Sequence, residues 1–162
     1  MKIFKKHISV LILSLFLGTS FIACDEGGDP EAGGTAVEAL AGEWTVEILR
    51  NGSEYNHGHI STYNTAANVD SEMWLDDLEN GWGLKAKVNL NSSASTFSGD
   101  NLVELYYDVT VTITNGIIVK KGATAPSGTV TDSIHFNAEF SDIPGEIWEY
   151  AGHRRTGFLE DE

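Results

Sequence analysis

The chain has 162 residues, of which 41% are hydrophobic and 21% charged, and this composition suits one folded domain and excludes wholesale disorder. Its 24 acidic and 10 basic residues give a formal charge of −14, which repels phosphate backbones and argues against nucleic acid as a partner. The single cysteine excludes an intrachain disulfide and a cysteine-rich metal site.

The N-terminus has the pattern of an export signal. Three lysines lie within the first six residues, and an apolar run without charges follows from Ile8 to Ile22. The sequence Phe21-Ile22-Ala23-Cys24 resembles a lipobox, the processing signal of bacterial lipoproteins. We therefore predict a lipoprotein signal peptide over residues 1–23 and lipidation of Cys24. A retained membrane helix is the alternative, because about 15 apolar residues nearly span a thin bilayer.

Residues 24–37 are predicted to be the lipidated cysteine and a flexible acidic tether, because glycine and acidic residues dominate this stretch and cannot form a core. Acidic residues directly after the cysteine resemble the surface-export signal of Bacteroides-group lipoproteins. This resemblance implies a lipid anchor in the outer membrane, at the cell surface or otherwise at the periplasmic face. The acyl chains would provide the contact with the membrane.

Residues 38–162 are predicted to be one all-β domain. Period-2 alternation of apolar and polar residues marks clear strands at 44–48, 83–91, 104–114 and 130–140, and weaker ones at 60–65, 72–78, 95–98 and 147–158. Turn signals separate them at 51–52, 80–81, 98–100 and 144–145. The pair Asn115-Gly116 predicts a hairpin after the third clear strand. Residues 36–41 suit one helical turn at most.

Eight or nine short strands with regular turns are typical of an antiparallel up-and-down barrel or of a sandwich. An eight-stranded barrel either fills with side chains or holds one small ligand. Periodicity leaves both architectures open.

An ordered set of segments carries a family resemblance over nearly all of residues 40–160. The segments are GEWTV at 42–46, TYNTAAN at 62–68, MWLDD at 73–77, KAKV at 85–88, TFS at 96–98 and GHRRTGF at 152–158. Together they resemble the lipid-binding putative hydrolases, a lipocalin-like family of small Bacteroides-group lipoproteins. The resemblance implies a calycin-type barrel of about eight strands with an apolar cavity.

Lipocalin-like barrels carry a Gly-x-Trp motif on the first strand and an arginine near the last strand that packs on the tryptophan. Gly42-Glu43-Trp44 matches the first element, and Arg154 or Arg155 supplies the second. Alternation lets only one of the two arginines face the ring. The expected role of Trp44 and the arginine is structural, as a cation–π contact that closes one end of the barrel.

The leading functional hypothesis is a barrel that binds a small apolar ligand, such as a fatty acid or another lipid, without a cofactor. Alternation along the strands selects the residues that point inward and are candidates for the cavity wall. They are Val46, Ile48, Leu84, Val88, Tyr107, Val109, Val111, Phe136 and Phe140.

The second hypothesis is a surface accessory lipoprotein that binds a glycan or protein partner in nutrient uptake. It depends on an exposed aromatic surface, for which Gly81-Trp82-Gly83 places an indole at a turn. The third is a lipid-ester hydrolase, implied by the family name alone, because the sequence has no Gly-x-Ser-x-Gly motif.

Two side-chain sets contain residue types used in catalysis or metal binding, and neither supports a catalytic or metal assignment. Asp132, Ser133 and His135 are close in sequence, but alternation puts the serine and the histidine on the outer face. His57 and His59 share one strand face, as a metal pair requires, with Glu54 or His153 as a third ligand. We expect solvated polar residues in both places, and no metal or other cofactor.

Overall fold

Each strand of the barrel pairs antiparallel with the next one along the chain, and the last strand pairs with the first. The computed structural model describes residues 33–162, and these contain eight strands in the closed order β1 to β8. Their bounds are Gly42–Arg50 (β1), Ser53–Asn64 (β2), Glu72–Asp76 (β3), Lys85–Asn91 (β4), Thr96–Val103 (β5), Thr110–Thr124 (β6), Val130–Phe140 (β7) and Trp148–Arg154 (β8). The predicted up-and-down barrel is confirmed, and the sandwich is excluded.

Alternation within each strand places one row of side chains inside the barrel. In β7 the inward residues are Ile134, Phe136, Ala138 and Phe140, and each is at most 1% exposed. The residues between them are only partly buried. Burial of about 25 cal/mol per Å² of apolar surface favours this arrangement, and a shift by one residue would expose the whole row.

The two ends of the barrel differ. The connections 51–52, 77–84, 104–109 and 141–147 join β1 to β2, β3 to β4, β5 to β6 and β7 to β8, and they lie together at one end, which we call the mouth. The remaining connections, at 65–71, 92–95 and 125–129, lie at the other end, which we call the closed end. The segment that precedes β1 also enters there.

A short turn and an arginine cover the closed end. Residues 36–40 form a turn, with Val37 and Leu40 buried against the core. Trp44 Nε1 donates to Thr62 Oγ1 at 2.9 Å, and this hydroxyl donates to the Leu40 carbonyl at 2.7 Å. Arg154, which pairs in register with Trp44, lies 4.6 Å from the centre of the indole ring.

Two predicted turns are wrong. Asn115 and Gly116 lie within β6, where the register with β7 shifts between Thr114 and Ile117. Asn115 has a φ of 56°, and a Cβ on Gly116 would lie 2.3 Å from the Phe97 carbonyl oxygen, so the pair forms a bulge against β5 and no hairpin. Residues 98–100 likewise lie within β5, at another register shift.

The predicted strand 104–114 is correct only from Thr110 onward. Residues 104–109 form the connection between β5 and β6, and Leu105 and Tyr107 are each 52% exposed. The alternation of apolar and polar residues in the sequence therefore extends beyond β6 into the β5–β6 connection. The apolar side chains of that connection are not covered by a neighbouring strand.

The predicted signal peptide, Cys24 and most of the predicted tether lie outside the described residues. Residues Thr35–Glu162 form one compact unit. Within the part of the chain that the structure describes, no helix has the length and hydropathy needed to cross a membrane.

Candidate functional site

All four connections of the mouth, or the residues next to them, contribute to one surface pocket. Its volume is about 440 Å³, within the range of small-molecule sites. Tyr55 comes from the start of β2, Gly81 and Trp82 from the β3–β4 connection, Tyr107 from the β5–β6 connection and Asp142 from the β7–β8 connection. We call it the mouth pocket. Three of its five lining residues are aromatic.

Asp77 organises the connection that carries Trp82. Its side chain accepts hydrogen bonds from the backbone N–H groups of Leu84 at 2.7 Å, Glu79 at 2.9 Å and Gly81 at 3.1 Å. Leu78 and Glu79 both have positive φ angles, a left-handed conformation that local hydrogen bonding to an aspartate stabilises. Asp77 therefore determines where Gly81 and Trp82 lie.

A buried tyrosine lies directly below this connection. Tyr150 Oη donates to Asp77 Oδ2 at 3.0 Å, and both residues are fully buried. Burial raises the pKa of the Asp77 carboxyl, although its hydrogen bonds, the strongest from Leu84, oppose the increase. Burial and the neighbouring carboxylate raise the pKa of the Tyr150 hydroxyl well above its ordinary value. The pair is accordingly a neutral phenol beside a buried carboxyl that accepts several hydrogen bonds, a structural arrangement at the base of the mouth.

Gly81 is required by this close approach. A Cβ at position 81 would lie 2.1 Å from Tyr150 Oη and 2.8 Å from Asp77 Oδ2. The glycine thus lets the pocket wall rest directly on the buried pair.

A second buried carboxylate positions Tyr107. The Glu104 side chain accepts from the backbone N–H groups of Lys85 at 2.8 Å, Tyr106 at 2.9 Å and Tyr107 at 2.6 Å. The Tyr107 ring lies over Gly83, where a Cβ would be 2.4 Å from the ring and where φ is +95°. Glu104 therefore connects the β5–β6 connection to the start of β4 and holds Tyr107 at the pocket.

Trp148 supports two of the aromatic walls from below. Its ring is 4.7 Å from Tyr55 in an edge-to-face arrangement and 5.8 Å from Trp82. Trp82 Nε1 donates to Asp142 Oδ2 at 3.3 Å. Trp148 Nε1 is buried and has no acceptor among the described residues. Tyr55 and Trp82 thus both pack on Trp148 while they line the mouth pocket.

The nine predicted cavity residues occupy three kinds of position. Seven are buried in the core, each at most 1% exposed, and Val109 packs against that core while partly buried. Only Tyr107 lines the mouth pocket. The seven core residues are Val46, Ile48, Leu84, Val88, Val111, Phe136 and Phe140.

The sequence did not indicate Tyr55 or Asp142 as part of a site. Tyr55 is one of several polar or aromatic residues near a turn, and Asp142 is one acid among 24. Trp82 had a usable signal, because glycines on both sides predicted a turn and an accessible indole. The other two come to the pocket only when the barrel closes.

The serine–histidine set and the histidine pair lie outside the mouth pocket. His135 Nε2 is 3.2 Å from Glu149 Oε1, and within residues 33–162 no serine hydroxyl forms a hydrogen bond with a histidine ring. His59 Nε2 is 2.9 Å from Glu162 Oε2. Among the same residues, no group of three His, Cys, Asp or Glu side chains is placed to hold a metal ion.

Comparison with known proteins gives one informative result. No curated protein matches the chain. The family model described as "lipid-binding putative hydrolase" matches residues 29–159, which include all eight strands and every residue that lines the mouth pocket. Because this match covers most of the chain and the barrel fits a lipid-binding protein, the chain belongs to the lipid-binding putative hydrolase family.

Proposed function

We propose that this protein binds a small apolar ligand or lipid non-covalently in the mouth pocket, as a lipoprotein held at a membrane. The observation that carries the proposal is the pocket itself, with three aromatic walls supplied by separate connections. Membership of a lipid-binding family supports the ligand class. The proposal assigns no catalytic residue.

The ligand lies at the mouth and not deep inside the barrel, because large side chains occupy the interior below it. The Phe136 ring stacks on the Tyr150 ring, with centroids 4.5 Å apart and planes 9° apart. The Phe97 ring also packs against Phe136, with centroids 5.8 Å apart. Deep entry of an acyl chain would have to displace close-packed aromatic rings, which is costly in a protein core.

The rim next to the pocket adds apolar surface that a lipid can cover. Val103, Leu105 and Tyr107 are respectively 69%, 52% and 52% exposed, and all three lie at the β5–β6 connection. Exposed apolar side chains grouped at one connection suit contact with a ligand or a membrane. A lipid tail that leaves the pocket would meet this rim before it reached water.

The membrane attachment is proposed from the sequence. Acylation of Cys24, followed by the acidic stretch 25–37, would hold the barrel at the outer membrane, at the cell surface or at its periplasmic face. Metabolic labelling with a radioactive fatty acid tests this proposal. Label should enter the wild-type chain and be lost in Cys24→Ser, and equal labelling of both would contradict it.

Ligand binding is tested by titration with monoacylglycerols of increasing chain length against a displaceable fluorescent lipid. Because all eight strands lie within Thr35–Glu162, a chain that begins at Asp25 keeps the complete barrel. Each buried CH₂ contributes about 0.8 kcal/mol, so affinity should rise about fourfold per carbon and level off once the pocket is filled.

Matched variants locate the binding. Tyr107→Leu should weaken monoacylglycerol binding several-fold because it removes one pocket wall. Phe158→Leu removes an aromatic side chain of similar exposure, 53% against 52%, that does not line this pocket, and should have no effect. Equal losses in the two variants, or no saturable binding at any chain length, would contradict the proposal.

One observation favours a glycan as the second candidate. The Trp82 and Tyr107 rings are accessible at the mouth, and Asp142 lies beside them as a hydrogen-bond acceptor, an arrangement that suits a sugar ring. Titration with neutral oligosaccharides in place of lipids tests it. Saturable sugar binding that Tyr107→Leu abolishes, without monoacylglycerol binding, would favour the glycan.

A further inference from the structure

The mouth has a large excess of negative charge. The four connections and the one strand residue on either side of each contain seven acidic and two basic residues. The basic residues are Arg50 and Lys85, and the acidic ones are Asp76, Asp77, Glu79, Glu104, Asp108, Asp142 and Glu146. A charge imbalance of this size lowers the local concentration of anions and raises that of cations.

Both basic residues of the mouth are already paired. Arg50 Nη2 is 2.6 Å from Glu146 Oε2, and this hydrogen bond raises the pKa of the guanidinium above its ordinary value. Lys85 Nζ is 2.8 Å from Asp76 Oδ2. Within residues 33–162, the mouth therefore offers no unpaired cation that could bind the carboxylate of a fatty acid.

The walls of the mouth pocket favour a positively charged ligand over an anion. Aromatic ring faces carry negative potential and attract cations, most strongly those that are weakly hydrated, such as quaternary ammonium groups. Tyr55, Trp82 and Tyr107 supply three such rings around one pocket. Asp142 adds a carboxylate at the same pocket, hydrogen-bonded to Trp82.

We propose that the mouth pocket selects ligands that carry an organic cation, such as a quaternary ammonium head group, over ligands with a carboxylate head. The cation is placed among Tyr55, Trp82 and Tyr107, beside Asp142, and the apolar tail lies along the rim. This proposal deepens the proposed function and rests on it. It also replaces the fatty acid as the expected ligand. The carboxylate of a fatty acid would lie beside the Asp142 carboxylate, with no free cation of the mouth to bind it.

Three probes with the same ten-carbon chain and different heads test the selectivity. They are decyltrimethylammonium, monodecanoylglycerol and decanoate, each titrated calorimetrically below its micelle concentration into the chain from Asp25. We expect the cation to bind about tenfold more tightly than the carboxylate, with the neutral probe between them. Added salt should narrow this difference, because the acidic mouth is open to solvent.

Two matched substitutions separate the pocket from the charge of the whole protein. Asp142→Asn keeps an acceptor for Trp82 Nε1 but removes the negative charge, and should weaken cation binding several-fold while leaving the neutral probe unchanged. Asp70→Asn makes the same charge change at an exposed residue of the closed end and should alter neither. Both residues are exposed, so neither substitution threatens the fold.

The outcomes distinguish the two proposals. Equal affinity for the three heads, or equal losses in the Asp142 and Asp70 variants, would overturn the cation proposal and leave lipid binding standing. Absence of binding by all three probes would overturn both.

Discussion

The guanidinium of Arg154 on β8 lies 4.6 Å from the centre of the Trp44 ring on β1, across the strand pair that closes the barrel. The same side chain donates through Nη1 to the Ala41 carbonyl at 2.6 Å and through Nε to Asp132 Oδ2 at 3.2 Å. One residue thus joins β1, β7 and β8 and the segment before β1. We expect it to stabilise the closed end beyond the contribution of a surface ion pair.

Replacement of this arginine should destabilise the barrel measurably. Arg154→Leu keeps apolar bulk over the indole but loses the cation–π contact and the two side-chain hydrogen bonds, at an expected cost of about 1–3 kcal/mol. Urea unfolding measures the loss. The matched control is Arg155→Leu, because Arg155 bonds only to the side chains of Glu43 and Glu162 at the surface apart from its backbone contact. A larger effect at Arg155 would contradict this assignment.

The Tyr150–Asp77 hydrogen bond should contribute less than the backbone bonds of Asp77. Tyr150→Phe removes one donor, at about 1–2 kcal/mol, whereas Asp77→Ala leaves several backbone N–H groups without an acceptor and should cost about 3 kcal/mol or more. Chemical denaturation of both variants gives the ranking. Tyr63→Phe removes a bond of similar length to Asp76 from a tyrosine that is only partly buried, and should cost less than either. The reverse order would show that Asp77 does not organise the connection.

The steric conflict caused by a larger residue at position 81 should be smaller when Tyr150 is replaced by phenylalanine. Gly81→Ala places a methyl group against Tyr150 Oη, and overpacking of this kind costs about 1–3 kcal/mol. In the Tyr150→Phe background the closest atom is gone, so the alanine should cost less. A double-mutant cycle measures this coupling, and strictly additive effects would mean that the two residues do not interact.

A substitution inside the barrel should lower the stability of the protein without weakening ligand binding at the mouth. Phe136→Ala opens space beneath the Tyr150 ring and should cost about 3–5 kcal/mol in unfolding free energy. It should not weaken lipid binding at the mouth at temperatures where the variant is folded. A several-fold change in monoacylglycerol affinity in this variant would instead place the ligand inside the barrel.

Acid should destabilise the closed end through Asp132. Burial alone would raise the pKa of this carboxyl, but the hydrogen bond from Lys120, the backbone N–H of Lys121 and the charges of Lys120 and Arg154 together lower it. A lowered folded-state pKa gives stability that is present above the unfolded value, near pH 4, and is lost as the pH falls through the folded value.

Unfolding measured between pH 7 and pH 2 tests this dependence. The free energy of unfolding should fall less steeply below about pH 4 in Asp132→Asn than in the wild type. Asp70→Asn, which makes the same charge change at an exposed position, should follow the wild-type curve. Asp77 contributes with the opposite sign, because its pKa is raised, and it remains unchanged in both variants.

Local pattern determined most of the strands and the all-β class, because side chains on the two faces of a half-buried strand must alternate, and the family resemblance favoured the barrel over the sandwich. The rows of β4, β7 and the first part of β1 are visible in the sequence, and the motif Gly42-Glu43-Trp44 placed Trp44 in the core before any strand pairing was known. The signal peptide and Cys24 remain predictions from the same source. In each case the evidence lies within a few consecutive residues.

Tertiary structure alone decided which arginine packs on Trp44, that Asn115-Gly116 forms a bulge, and where the pocket lies. The register between β1 and β8 pairs Arg154 with Trp44. The close contact of Gly116 with Phe97 on β5 lets β6 continue through Asn115 and Gly116 as a bulge. Tyr55, Trp82, Tyr107 and Asp142 span 88 positions of sequence and meet only because barrel closure brings four connections to one end. A local sequence pattern cannot predict that these residues line one pocket, because their proximity depends on strand pairing between distant segments.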